Sequence, residues 1–337
     1  MRDVYTNGRS GPTMQRRAFL RRTTTGLLAV ACVAGAQPGR SAPRVALLLP
    51  AEHPLEEPFR DGLRALGYAE GRDVVLERHS ADGDFARLPA LAAAIVRSGP
   101  DVIVPFLTQA AVAARAATAA IPIVMVAVSD PVGAALVADL ARPGGNVTGT
   151  AGLVAAVIGK QLEMVRELVP AATRIATLWN PSNAVFQAQM ADEARAAAVR
   201  LGLRLTFVEA RRADALDRAL GAIAAQRPDA VLVFGEPLFV ANAQRIADTL
   251  SGHRLVAVGG ARAYAEQGML ASYAPDLAWA ARRAAAHVDR ILRGARPQDL
   301  PVELATRFEL VLNAGTARRL GVSLPPALVA RADAVVE

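Results

Sequence analysis

An apolar, mostly β-branched run from Ile121 ends abruptly in Ser129-Asp130-Pro131, and its composition is that of a strand buried on both faces. A hydroxyl and a carboxylate at such a strand tip admit two kinds of chemistry. Asp130 can cap a following helix with Pro131 at its first position, a role that needs no ligand. Its carboxylate can instead pair with a ligand ammonium, a charge-assisted bond worth roughly 1.5–3 kcal/mol. The Ser129 and Thr108 hydroxyls, with nearby helix amides, would then hold a ligand carboxylate, and the set suits an amino acid or a similar small zwitterion. Gln109 beside Thr108, Asn180 before Pro181, and Glu236 before Pro237 end other β-rich runs. Asn180 is equally a plain cap, and Glu236 equally a solvated loop carboxylate. Phe106, Trp179, Phe234 and Tyr273 also sit at strand ends, where they either fill a core or wall a cleft around an apolar side chain.

Catalytic chemistry has little to stand on. The histidines, at 53, 79, 253 and 287, are scattered without a His-x-x-x-His pair, which speaks against a metal site. There is no Gly-x-Ser-x-Gly elbow and no Gly-x-Gly-x-x-Gly fingerprint after a strand. The balance favours binding without chemistry, and no cofactor is expected.

The elements that must position these residues follow a regular alternation. Strands are expected over 45–49, 74–76, 102–104, 123–128, 175–179, 205–208, 230–234 and 255–258, with helical segments between them and a last strand over 308–312. The second half repeats the first: "RVALLLP" from Arg44 is answered by "RIATLWN" from Arg174, "PDVIVPF" from Pro100 by "PDAVLVF" from Pro228, and Leu66-Gly67 by Leu201-Gly202. The expected fold is therefore α/β, two doubly wound parallel-sheet lobes with a ligand cleft between them. Ligands of such sheets bind beyond the carboxyl ends of the strands. Candidate loops are thus Pro50 to His53, Phe106 to Gln109, Ser129 to Pro131, Asn180 to Asn183, Phe234 to Pro237, and Gly259-Gly260. The Pro- and Gly-marked stretch 142–150 is expected to be a crossover, and its glycines lack the lysine of a phosphate loop. Residues 270–276 are expected to begin a helix running through Ile291.

The formal charge of +7 is unevenly placed. Residues 1–36 hold six arginines against Asp3, leaving 32 basic and 30 acidic residues in the remainder, so no nucleic-acid partner is expected. The leader has an Arg-rich start, an apolar stretch from Gly26 to Gly35 and the small-x-small end Ala34-Gly35-Ala36, the layout of an export signal over 1–36. Arg16-Arg17-Ala18-Phe19-Leu20 resembles the twin-arginine motif. The apolar stretch is about half the ~20 residues of a spanning helix. Met14 is an alternative start. The single cysteine, Cys32, lies in this leader, where "LLAVAC" is a poor relative of a lipoprotein box; export with cleavage after Ala36 leaves a chain without thiols.

With these features together, the chain resembles the bacterial ABC-transporter substrate-binding proteins of the tryptophan/tyrosine-binding type, with the type I periplasmic binding fold. The resemblance runs from about Arg44 to Glu337 and rests on "FRDGLRALGYAEGRDVVLE", "IPIVMVAVSDPVGAALVADLARPGGNVTG", "KQLEMVRELVP", "LWNPSN", "PDAVLVFGEPLF" and "LPVELATRFELVLNAGTARRLGV". It implies two lobes, 44–148 plus 274–298 and 149–273 plus 299–337, joined by a three-stranded hinge. It also implies ligand contacts at Thr108, Ser129, Asp130 and Asn180, with Glu236 and Tyr273 as further candidates, and a periplasmic location. The partners implied are a small-molecule solute and an ABC permease, with membrane contact only through that permease or a lipid at Cys32. The sequence departs from the commoner pattern at "PAEHPLEEP" and at Gly235-Glu236, which puts an aromatic amino acid ligand in question. Other readings are an exported sensor domain, an enzyme of doubly wound architecture, and a regulator, which the export signal disfavours.

Overall fold

The computed structural model describes residues 42–152 and 157–337. The expected export signal, twin-arginine motif and Cys32 lie outside the described residues.

One sheet contains β1 (Arg44–Leu49), β2 (Val75–Ser80), β3 (Val102–Pro105), β4 (Ile123–Val128), β5 (Val147–Ala151) and β11 (Glu303–Leu304), in the order β11-β5-β4-β3-β1-β2, all parallel. The other contains β6 (Arg174–Trp179), β7 (Arg204–Glu209), β8 (Ala230–Val233), β9 (Ala257–Gly259), β10 (Ala271–Pro275), β12 (Phe308–Asn313) and β13 (Ala334–Val336), in the order β13-β12-β10-β9-β8-β6-β7. Its neighbours are parallel except β10 and β12. The order β4-β3-β1-β2 recurs as β9-β8-β6-β7, which is the repeat seen in the sequence. Its Pro-Asp pairs do the same work twice. Asp101 accepts from the Arg44 amide and Asp229 from the Arg174 amide, each at 2.8 Å, tying the start of the first strand to the start of the third.

The helices are α1 (Glu56–Ala65), α2 (Leu88–Ser98), α3 (Leu107–Ala117), α4 (Ile158–Leu168), α5 (Ala184–Leu201), α6 (Leu216–Gln226), α7 (Pro237–Val240), α8 (Ala243–Gly252), α9 (Arg262–Glu266), α10 (Leu277–Leu292), α11 (Ala314–Leu320) and α12 (Pro326–Arg331). Strand alternation sorts the cores. Val45, Leu47 and Leu49 pack with α1 and α10, while Ala46 and Leu48 pack with α2 and α3. In the second sheet Ile175, Leu232 and Val258 meet α4 and α5, while Ala176, Val231 and Val233 meet α6, α8 and α9. Both faces of both sheets are thus covered, which is why the strands read as unbroken apolar runs.

Several expectations need correction. The stretch 142–150 is not only a crossover, because it holds β5, whose residues are all buried. Thr148 donates to the Leu300 carbonyl at 2.6 Å and Thr150 accepts from the Ala127 amide at 3.1 Å, so two polar side chains are satisfied inside the sheet. Pro131 does not begin a helix; residues 131–135 form turns, with the Ala134 amide donating to the Asp130 carbonyl. Residues 270–276 do not begin the helix: Ala271–Pro275 form β10, paired with β9 and β12, and α10 starts at Leu277. The boundaries also move: β5 extends the first sheet to Ala151, and residues 303–304, expected with the second lobe, pair with β5 instead. A strand of two residues leaves no periodicity to read. The chain crosses between sheets after β5, at Asp276, and between β11 and β12.

Candidate functional site

The carboxyl ends of β1, β3 and β4 face those of β8, β9 and β10 across a cleft of about 900 Å³, open mouth included.

From the first sheet, Thr108 and Gln109 enter on the first turn of α3, and Ser129 on the loop after β4. The Thr108 hydroxyl oxygen accepts from the Ser129 amide at 3.2 Å, which leaves its proton for a guest. The Gln109 side-chain nitrogen is buried without a protein partner. The first amides of α3 have no carbonyl of their own helix to bond. Thr108, Gln109 and Ser129 all line the cleft. The backbone here is strained: Leu107 and Ala127, both on the cleft, hold φ of 64° and 54° without being glycine.

His53, after β1, accepts at Nδ1 from the Leu55 amide at 3.3 Å, which fixes its proton on Nε2. Part of the residue remains open at the cleft, yet burial pushes its pKa down, so it is neutral near pH 7.

From the second sheet, Glu236 follows β8 and is fully buried at the cleft wall. Its Oε1 accepts from Asn180 Nδ2 at 3.1 Å, and its Oε2 from Asn183 Nδ2 at 2.8 Å and Gln187 Nε2 at 3.4 Å. Burial drives its pKa from the ordinary 4.5 up to about 7, against the pull of the Asn183 and Asn180 amides and of the Leu238 N–H. Arg262 also lines the cleft but is engaged by Glu266 at 2.7 Å and Glu309 at 3.3 Å.

The structure thus brings together Thr108, Gln109, Ser129 and Glu236 of the residues singled out in the sequence. Asp130 lies beside them in an adjoining recess with Phe186 and Gln189, where its Oδ1 accepts from the Gly133 amide at 2.8 Å. Asn180 is buried behind the cleft wall, where it holds Glu236 and closes its own turn by accepting from the Ser182 amide at 3.0 Å. Tyr273 points the other way and stacks on Phe308 at 6.0 Å, because neighbouring strand residues alternate faces and Ala274 takes the cleft side. Phe106 and Phe234 are core, and Trp179 packs on Phe207. Among the described residues the aromatic ring of the cleft wall is Phe186, three positions beyond the Asn180–Asn183 loop and so outside the strand-end rule. Arg262, Glu266 and Glu309 were also missed; a five-residue helix and an antiparallel strand carry them.

A family model of the ABC transporter substrate binding proteins matches residues 44–336. The chain belongs to this family. A relative of this substrate-binding protein is the "Tyrosine-binding protein" of Clostridioides difficile (strain R20291), 27% identical over 273 residues, 80% of this chain and 78% of that one. A conserved domain protein of Vibrio cholerae superimposes with a TM-score of 0.79 at 31% identity, over 87% of this chain and 99% of that chain. An ABC domain from Streptococcus pneumoniae, solved in complex with L-Trp, also reaches 0.79, at 26% identity over 88% of this chain and all of that one. The family fold is the α/β arrangement of two sheets described above, and among the described residues no helix is long and apolar enough to cross a membrane.

Proposed function

We propose that this chain is the periplasmic solute receptor of an ABC uptake system, binding a small amino-acid-like or aromatic solute between its lobes and passing it unchanged to the permease. The observation that carries the reading is the gathering of Thr108, Gln109 and Ser129 from one sheet and Glu236 from the other around one cleft. The first three form the carboxylate seat, Phe186 offers a face to an apolar side chain, and Asn180 acts through Glu236. The tyrosine-binding relative and the tryptophan-bound neighbour support this ligand class. Closing two lobes on a guest couples occupancy to the shape a permease reads, by as much as the guest prefers the closed form.

Calorimetry with L-tyrosine and L-tryptophan tests the reading. Micromolar or tighter binding is expected, with Ser129→Ala and Thr108→Ala each weakening it by about 0.5–1.5 kcal/mol. No heat with either would remove the aromatic amino acids as its ligands, and unchanged affinity in both variants would remove the carboxylate seat.

A further inference from the structure

The tips of the first sheet meet the cleft in strand order. Ser129 follows β4, Thr108 and Gln109 follow β3, and His53 follows β1, the next strand along. Neighbouring strands lie about 4.8 Å apart, which puts His53 one strand from Thr108 and two strands, roughly 10 Å, from Ser129. Its surroundings are apolar: Pro54 and Leu55 follow it on the cleft wall, and Leu55 packs in one cluster with Leu277. Into these surroundings the ring brings a single N–H. Nδ1 is taken by the Leu55 amide, and Nε2 carries the proton but bonds nothing among the described residues. That nitrogen is not sealed in, unlike His79 Nε2, which is buried without a partner. His53 is partly exposed and lines the cleft, so the cleft is where this donor finds an acceptor. Burial keeps the imidazole neutral near pH 7, and the acids on the same wall, Glu266 and Glu309, are held by Arg262.

We propose that His53 reads the far end of the solute, and that the solute is an amino acid whose side chain ends in a hydrogen-bond-accepting oxygen. This rests on the cleft being the solute site, with the solute's carboxylate on Thr108, Gln109 and Ser129. A side chain laid from there along the strand tips arrives at His53. A phenol oxygen accepts from Nε2–H and leaves no donor unpaired. A phenyl ring leaves the N–H without a partner, and an indole offers it only a second donor. A site with a placed donor rejects the analogue that lacks the acceptor far more strongly than an apolar pocket rejects a missing methylene.

The experiment is calorimetry on the full chain at pH 7 with L-tyrosine, L-phenylalanine, L-tryptophan, L-methionine and L-methionine sulfoxide. Tyrosine is expected to bind at least about tenfold more tightly than phenylalanine, and the sulfoxide, which adds only an acceptor oxygen, at least about tenfold more tightly than methionine. His53→Leu is expected to erase both preferences while leaving phenylalanine and tryptophan within about threefold of their wild-type affinities. His53→Gln, which keeps an N–H donor, is expected to retain a preference for the acceptor-bearing member of each pair. Should His53→Leu fail to fold, His53→Phe keeps a ring without its N–H and serves in its place. Tyrosine and phenylalanine binding alike overturns the role of His53 and leaves the aromatic reading of the cleft intact. A preference that survives in His53→Leu, or a loss as large for phenylalanine and tryptophan as for tyrosine, also overturns it. Binding of methionine sulfoxide alone, lost in His53→Leu, supports the donor and removes the aromatic ligand. No heat with any of the five overturns both.

Discussion

Two carboxylates near the cleft differ in what surrounds them, and the difference decides their roles. Asp130 spends Oδ1 on the Gly133 amide at 2.8 Å. Asp130→Ala should therefore cost about 1 kcal/mol of stability in urea unfolding while changing L-tyrosine affinity less than about threefold. Glu236 is fully buried with its pKa raised to about 7. An acid whose folded value lies above its unfolded value favours the folded state at low pH, and this stability is lost as pH rises from about 4.5 through about 7. The difference in unfolding free energy between the ligand-free wild type and Glu236→Gln should fall across that window by on the order of 3 kcal/mol and then level off. Asp229, held down to about 2 by the Thr173 and Arg174 amides, titrates below this window and does not obscure it. A flat difference from pH 5 to pH 8 would show that Glu236 is not buried in solution.

At the scale of elements, the tip of β4 is where the sheet gives up regularity to make a site. Its pairing with β5 shifts register between Met125 and Val128, and Ala127 within the shift is left-handed. The partner position, Gly149, has φ of 128°, and a Cβ there would stand 2.1 Å from the Met125 carbonyl oxygen. Gly149→Ala should thus cost about 3 kcal/mol or more, since backbone and not a flexible side chain must move. The loss should appear as a lower urea midpoint with an unchanged slope. A variant as stable as the wild type would mean that β4 and β5 do not approach this closely.

For the whole molecule, the consequence of a cleft walled by two sheets is that occupancy and stability are one measurement. A guest at a hundred times its dissociation constant adds about 2.7 kcal/mol to folding stability, provided it binds only the folded chain. Among the described residues the chain crosses between sheets at Asp276 and between β11 and β12, so relative movement of the lobes bends those links. Small-angle scattering should show a smaller radius of gyration with saturating ligand than without. Stabilisation by ligand with no change in dimension would argue for a rigid cleft.

The amino-acid sequence by itself determined most of the buried strands and the doubling of the two halves, because buried parallel strands read as apolar runs and the Pro-Asp pairs recur where a carboxylate must tie strand starts together. It also placed Thr108, Ser129 and Glu236 near a cleft, since residues just after a parallel strand have only its carboxyl end to occupy. Three outcomes belonged to the tertiary structure. The face of Tyr273 depended on the register of β10 against β12, which fixes the alternation. Phe186 reached the cleft because the first turn of α5 lines it. The state of Glu236 depended on Asn180, Asn183 and Gln187 converging from 49 to 56 residues away and shutting out water. Burial is a property of what surrounds a group in space, and neighbours along the chain do not report it.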